Sequence, residues 1–240
     1  MERLVVGRRD RPIDGTFLEH YFRYRFAQRW VDDGRVLDCA CGTGYGTYIL
    51  AQRGREVVGI DRSPEALRIA ATDWAASNIR YLSLDIDNLE TLEEQFDVVV
   101  SFETIEHLHD PAGFVRKAHD RLNANGSFIV STPNKNVYRG GLAPNPFHLH
   151  EFCPGEFRDL LSARFNHVEV FVQIAVSLND RGRTEPAASW SSEFRTALVS
   201  AFAGSSFGYS LYLFRMKRRF SVIPSAIYEN HQYLVAVCRK

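Results

Sequence analysis

The chain has 240 residues, 45% hydrophobic and 24% charged, which is enough for one substantial core and short for two independent domains. Its 29 basic and 29 acidic side chains cancel, so the overall charge points to neither a nucleic-acid nor a membrane partner, and any basic patch must be local. No apolar run of signal length opens the N-terminus, and the four cysteines form no CxxC pair. A zinc ribbon and a disulfide framework are therefore excluded, and a cytoplasmic location is expected.

In chain order, Phe17 to Val31 reads as a helix carrying Phe17, Tyr21, Tyr24 and Phe26. It is expected to lie across the top of a site or to pack on a sheet. From residue 35 onward, short β-branched runs alternate with helical patterns. The predicted strands are Arg35 to Cys39, Glu56 to Ile60, Ile79 to Leu84, Phe96 to Ser101, Ser127 to Ser131 and His167 to Gln173, with a last one at Gln232 to Val237. The predicted helices between them are Tyr45 to Arg53, Ser63 to Ala76, Pro111 to Asn123 and Pro154 to Ala163, the third read as stopping at NANG. Nearly continuous apolar runs such as FDVVVSF imply an α/β fold, a doubly wound, mostly parallel sheet covered by helices on both faces.

After Gln173 the alternation fails, and residues 177–229 read as a variable helical cap before the last strand, 231–240. Thr196 to Phe214 carries no charge, but Gly204, Ser205, Ser206 and Gly208 interrupt it. That argues for two helices and against a membrane span of about 20 residues, while a surface contact with membrane stays open. The basic run Arg215, Lys217, Arg218 and Arg219 is read as a solvated helix end or as a contact for an anionic acceptor.

The stretch from Asp38 through DCACGTGYG to Asp61 carries the chemistry. Gly42, Gly44 and Gly46 follow the first strand and open a helix, giving backbone amides and left-handed φ angles for close approach to a ligand. Thr47 stands where a dinucleotide fingerprint wants its third glycine, and Asp38 would repel phosphates, so a cationic ligand is favoured. Asp61, with Arg62 beside it, ends the second strand where a carboxylate meets ribose hydroxyls. Asp85 follows the third strand and either meets an adenine amino group, with Ile86 as an apolar wall, or caps a turn.

VLDCACGTGYGTYILAQRG, VVGIDRSPEAL, FDVVVSFETIEHLHDP and STPNK resemble the successive motifs of class I S-adenosylmethionine-dependent methyltransferases. The resemblance covers Val36 to Lys135, with Ala40 where glycine is frequent. It implies a Rossmann-like seven-stranded sheet with an antiparallel last strand, and S-adenosylmethionine as cofactor. The implied cofactor set is Tyr24, Asp38, Ala40, Gly42, Gly44, Asp61, Arg62, Asp85, Ile86, Ser101, Phe102 and Glu103. HYFRYRFA, at His20 to Ala27, is similar to a segment in relatives acting on glycans, so Arg23 or Tyr24 is expected near the methionine carboxylate or in plain packing. STPN followed by NPFHLHEF, Asn145 to Phe152, resembles methyltransferases of polysaccharide and O-antigen synthesis.

Methyl transfer is an in-line displacement dominated by positioning, but an alcohol acceptor still needs a base. The candidates are His107, His148 and Glu106, with only one of the alternating pair His148 and His150 expected to point inward. Glu103, Glu106, His107 and His148 also make a ligand set for magnesium, manganese or zinc. Their spacing resembles RNA 3′-end 2′-O-methyltransferases and quinone-precursor O-methyltransferases. The leading expectation is O-methylation of a saccharide hydroxyl on a nucleotide sugar or glycan. The alternatives are a small aromatic or quinone-like acceptor, an RNA terminus, and a regulatory partner that retains the fold without turnover.

Overall fold

A computed structural model of the chain describes residues 15–138, 145–173, 222–224 and 232–240. Its strands are β1 (Arg35–Cys39), β2 (Glu56–Asp61), β3 (Ile79–Ser83), β4 (Phe96–Ser101), β5 (Leu122–Pro133), β6 (His167–Gln173), β7 (Val222–Pro224) and β8 (Tyr233–Arg239). They form one sheet in the order β3-β2-β1-β4-β5-β8-β6-β7. The pairs among β1 to β5 are parallel. β8 runs antiparallel between β5 and β6, so the expected antiparallel last strand is in place. The seven predicted strands are all present, and short β7, at an edge beside β6, is an eighth. β7 falls within the stretch expected to be a helical cap; the rest of 177–229, including the basic run, lies outside the described residues.

Sequence-adjacent residues of a strand face opposite sides of a sheet. Val36, Val57 and Val98 join one apolar cluster with the helical aromatics Phe17, Phe26 and Tyr45. Leu37, Val58 and Val99 join the other, with Phe114, Phe157 and Leu161. Both faces are thus covered, which is why these strands read as unbroken apolar runs. The first layer is built by α1 (Gly15–Ala27), followed by a short 3-10 turn at Gln28–Trp30, and by α2 (Tyr45–Ala51). The second is built by α4 (Pro111–Asp120) and α6 (Pro154–Ser162), with the one-turn α5 (Lys135–Tyr138) between them in sequence. α3 (Pro64–Asp73) starts at a Ser63 cap accepting from the Ala66 amide.

One predicted boundary moves. The NANG stretch does not stop a helix: α4 ends at Asp120, and Leu122 is already paired with Phe96. Asn123 Nδ2 donates to Asp97 Oδ1 at 2.6 Å, so the polar residues of NANG serve a strand entry. Among the described residues, no helix is long and apolar enough to cross a membrane.

Strand order reverses between β1 and β4, and ligands of such sheets bind beyond the carboxyl ends of the strands at that point. A cavity of about 830 Å³ opens there.

Candidate active site

The wall of the cavity contains Tyr24, Ala40, Gly42, Asp61, Arg62, Asp85, Ile86, Phe102, Glu103, Glu106, His107 and His148. Asp38, Gly44 and Ser101, also expected in the site, sit behind that wall among the described residues.

Asp38 is fully buried and accepts hydrogen bonds from Thr47 Oγ1 at 2.6 Å and from the Tyr24 hydroxyl at 3.1 Å. Burial pushes its carboxyl up to about 7, against the pull of those two donors. Asp38 therefore holds the glycine turn and α1 together from beneath. Gly46 explains how α1 approaches so closely: a Cβ there would fall 2.0 Å from the Tyr24 ring. Gly44, at φ 85°, lies under the Tyr81 hydroxyl, which a Cβ would meet at 2.6 Å. Two of the three glycines thus make room for aromatic rings of the protein itself. Ala40 has φ 57° and Glu103 φ 50°, left-handed values that strain any residue with a Cβ.

Asp61 faces the cavity, oriented by the Gly42 amide on Oδ2 at 2.9 Å and the Ser63 amide on Oδ1 at 2.8 Å. Asp85 divides its carboxylate. One oxygen caps the following turn by accepting from the Asp87 amide at 3.0 Å, and the other stands 4.0 Å from the Arg62 guanidinium. Both of its expected roles are thus compatible with one side chain.

α1 supplies more of the site than its sequence suggests. Arg23 is fully buried and pairs with Glu103 Oε1 at 2.5 Å, donates to Ser131 Oγ at 3.1 Å, and lies 4.4 Å from the centre of the Tyr233 ring. Ser131 Oγ in turn donates to Glu103 Oε1 at 2.7 Å. Arg23 does not itself line the cavity, whereas His20 and Tyr233 do, and the sequence reading missed both as site residues. Burial, and then the Arg23 charge, hold the His20 imidazole well below its usual value, so it is neutral. Its only advance signal was its place at the head of HYFRYRFA; Tyr233 had none, because it arrives from the far end of the chain.

The acceptor end joins two segments forty residues apart. The Glu106 carbonyl accepts from the Leu149 amide at 2.9 Å and the His150 amide at 3.0 Å. His107 Nδ1 meets the Phe147 carbonyl at 2.8 Å; a carbonyl only accepts, so Nδ1 carries a proton, and the neutral tautomer this selects has its lone pair on Nε2. Nε2 lies 3.9 Å from Glu106 Oε1. The His107 and His148 rings are edge-on, 5.0 Å apart, and Asn145 Nδ2 stands 3.2 Å from His148 Nε2. His150 instead stacks on Phe152 and is absent from the described cavity wall.

Of the four candidate metal ligands, the fold assembles three. Glu106, His107 and His148 each offer a donor atom within 4.8 Å of the others. Glu103 is held away by Arg23 and Ser131, which corrects its expected place among the ligands. Burial, and then the nearby Glu103, push the Glu106 carboxyl well above the usual carboxylate range.

The methyltransferase domain family matches residues 31–174, more than half of the chain. A probable S-adenosylmethionine-dependent methyltransferase of Mycolicibacterium smegmatis is 35% identical over 170 residues, 67% of this chain and 65% of that protein. A ubiquinone biosynthesis O-methyltransferase of Azorhizobium caulinodans is 37% identical over 111 residues, 45% of this chain and 44% of that one. The chain therefore spans less than two thirds of either relative. A solved S-adenosylmethionine-dependent methyltransferase of Thermotoga maritima, described as a possible histamine N-methyltransferase, shares the fold with a TM-score of 0.60. Its sequence identity is 19%, with 93% of this chain and 92% of that one covered. The chain belongs to the class I S-adenosylmethionine-dependent methyltransferase family.

Proposed function

We propose that the protein transfers the methyl group of S-adenosylmethionine to a hydroxyl oxygen, with His107 as the base. The observation that carries this reading is the hydrogen bond from His107 Nδ1 to the Phe147 carbonyl, which leaves an Nε2 lone pair at the acceptor end of the cavity. In the reaction the acceptor oxygen forms a bond to the methyl carbon as the carbon–sulfur bond breaks. The sulfonium becomes a neutral thioether, and the hydroxyl proton passes to His107 Nε2. Asp61 would receive the ribose hydroxyls, Asp85 and Ile86 would border the adenine, and Tyr24, Ala40, Phe102 and Glu103 would surround the methionine end.

Acidity favours a phenolic acceptor. A phenol near 10 is about 6 pK units, or ~8 kcal/mol, more acidic than an aliphatic alcohol near 15.7. General-base help contributes about 10² to 10⁴ in rate, or ~3–5 kcal/mol, which serves a phenol and leaves an alcohol short. The relative named as a ubiquinone biosynthesis O-methyltransferase, 37% identical over 45% of this chain, supports the same choice. The saccharide hydroxyl expected from the motifs is supported by the position of the Asn145 to Phe152 loop at the cavity, and one experiment separates the two. With tritiated cofactor, catechol is expected to be labelled and methyl α-rhamnoside to stay unlabelled; the reverse would overturn the phenolic reading.

The three-donor cluster favours a second version, in which Glu106, His107 and His148 hold a divalent cation. Two imidazoles and a carboxylate suit zinc or manganese, and a buried Glu106 Oε2 lacking a hydrogen-bond partner fits the role. A cation bound there would lower the pKa of a coordinated hydroxyl. In this version dialysis against a chelator abolishes turnover and added manganese restores it; full activity in chelator rejects the cation and leaves His107 as base.

A further inference from the structure

Two large apolar side chains are exposed among the described residues, Phe147 at 46% and Leu149 at 48%, and both belong to the cavity wall. Their loop is not loosely attached. Asn145 Oδ1 accepts from the Phe147 amide at 3.0 Å, the Phe147 carbonyl holds His107, and the Leu149 amide is bonded to the Glu106 carbonyl. The backbone thus fixes two apolar groups beside the base, at a place where leaving them wet forfeits hydrophobic stabilisation.

Charge narrows what could cover them. The one Lys or Arg side chain in the described wall is Arg62, which stands at the opposite end beside Asp85. Glu106 lines the acceptor end, and the Glu103 carboxylate already holds the Arg23 charge. A phosphate or carboxylate placed there would find no Lys or Arg side chain of the described wall to pair with.

We infer that the acceptor is an uncharged amphipathic compound whose hydrocarbon substituent rests on Phe147 and Leu149 while its hydroxyl reaches His107. The inference rests on the O-methyltransfer reading and names the acceptor class for the same site. Continuity of the two side chains with the cavity assigns them to the acceptor, in preference to a membrane or a second copy of the chain.

The test is equilibrium titration of protein saturated with S-adenosylhomocysteine, using catechol, 4-ethylcatechol, 4-butylcatechol and 4-hexylcatechol. A fully buried methylene is worth about fourfold in affinity, and one lying on a half-open platform about twofold, so 4-butylcatechol should bind about 16-fold more tightly than catechol. The double variant Phe147→Ser, Leu149→Ser should lose the dependence on chain length, with its S-adenosylhomocysteine affinity measured alongside as the check that the fold is kept. No dependence in the wild type, or an unchanged one in the double variant, would overturn the inference. So would a flat series combined with variant-sensitive binding to phosphatidylcholine vesicles or variant-sensitive dimerisation. Turnover with tritiated cofactor separates the two failures. Chain-length-dependent binding without labelling of any catechol rejects the reaction and leaves the platform, while labelling of all four with equal affinity does the opposite.

Discussion

The two ends of the cavity are built by different means. The centre of the cofactor end is one strand-turn-helix unit and the tip of the next strand, where Ala40, Gly42 and Asp61 lie within 22 residues and are set by local backbone geometry, while Tyr24, Asp85, Ile86 and Phe102 join it from α1 and from beyond β3 and β4. The acceptor end exists only because backbone bonds join Glu106 and His107 to a loop forty residues later. A cofactor shared by many enzymes can be held by a compact local device. An acceptor that differs between enzymes calls for a wall that can change without disturbing that device.

Breaking the acceptor end should stop chemistry and leave the cofactor in place. His107→Ala is expected to lower kcat by about 10² to 10⁴ with the Kd for S-adenosylhomocysteine unchanged; rapid-quench turnover and calorimetry measure the two. Equal losses in both quantities would show that the ends are not separable. The converse break is Asp61→Ala, which removes charged hydrogen bonds worth ~1.5–3 kcal/mol. It should weaken cofactor binding about 10- to 100-fold by calorimetry, with kcat at saturating cofactor nearly retained.

Asp38 sharpens the comparison through pH. Its carboxyl is pushed up to about 7 in the folded protein, from 3.8 when unfolded. Its contribution to stability is therefore full below about pH 4 and is lost as pH rises through 7. Urea midpoints of the cofactor-free protein should fall between pH 5 and pH 8 more steeply than those of Asp38→Asn. A cationic cofactor favours the ionised carboxylate, so its affinity should rise about tenfold between pH 6 and pH 8. Asp38→Asn should flatten that rise; a pH-independent affinity in the wild type would remove Asp38 from the electrostatics of binding. The smallest effect belongs to Ala40→Gly. Relief of the left-handed strain at φ 57°, offset by the entropy of glycine, should stabilise the protein by ~1 kcal/mol or less in urea titration.

The same contrast decides what could be read beforehand. β1, the glycine turn and Asp61 were legible because apolar periodicity and turn chemistry act over a few residues. The motif pattern placed Asp38 against the ligand, but burial puts it behind the turn, since the pattern records spacing and not depth. Gly44 and Gly46 read as ligand contacts, whereas Tyr81 and Tyr24 need their lack of a Cβ. The partners of Glu103 were invisible because Arg23 comes from α1 and Ser131 from β5, and only the packed sheet brings them together. NANG was misread because polar, turn-prone residues suit a strand entry as well as a helix end.

The loop's main attachments to the Glu106 and His107 segment use its own backbone: the Phe147 carbonyl and the Leu149 and His150 amides. Every residue carries that carbonyl acceptor, and every residue except proline carries those amide donors. The identities of residues 147 and 149 are therefore free to drift over generations while the base keeps its tautomer and its position. Selection for a new acceptor can rewrite that surface one side chain at a time, and a library randomised at these two positions should be rich in active variants with shifted preference.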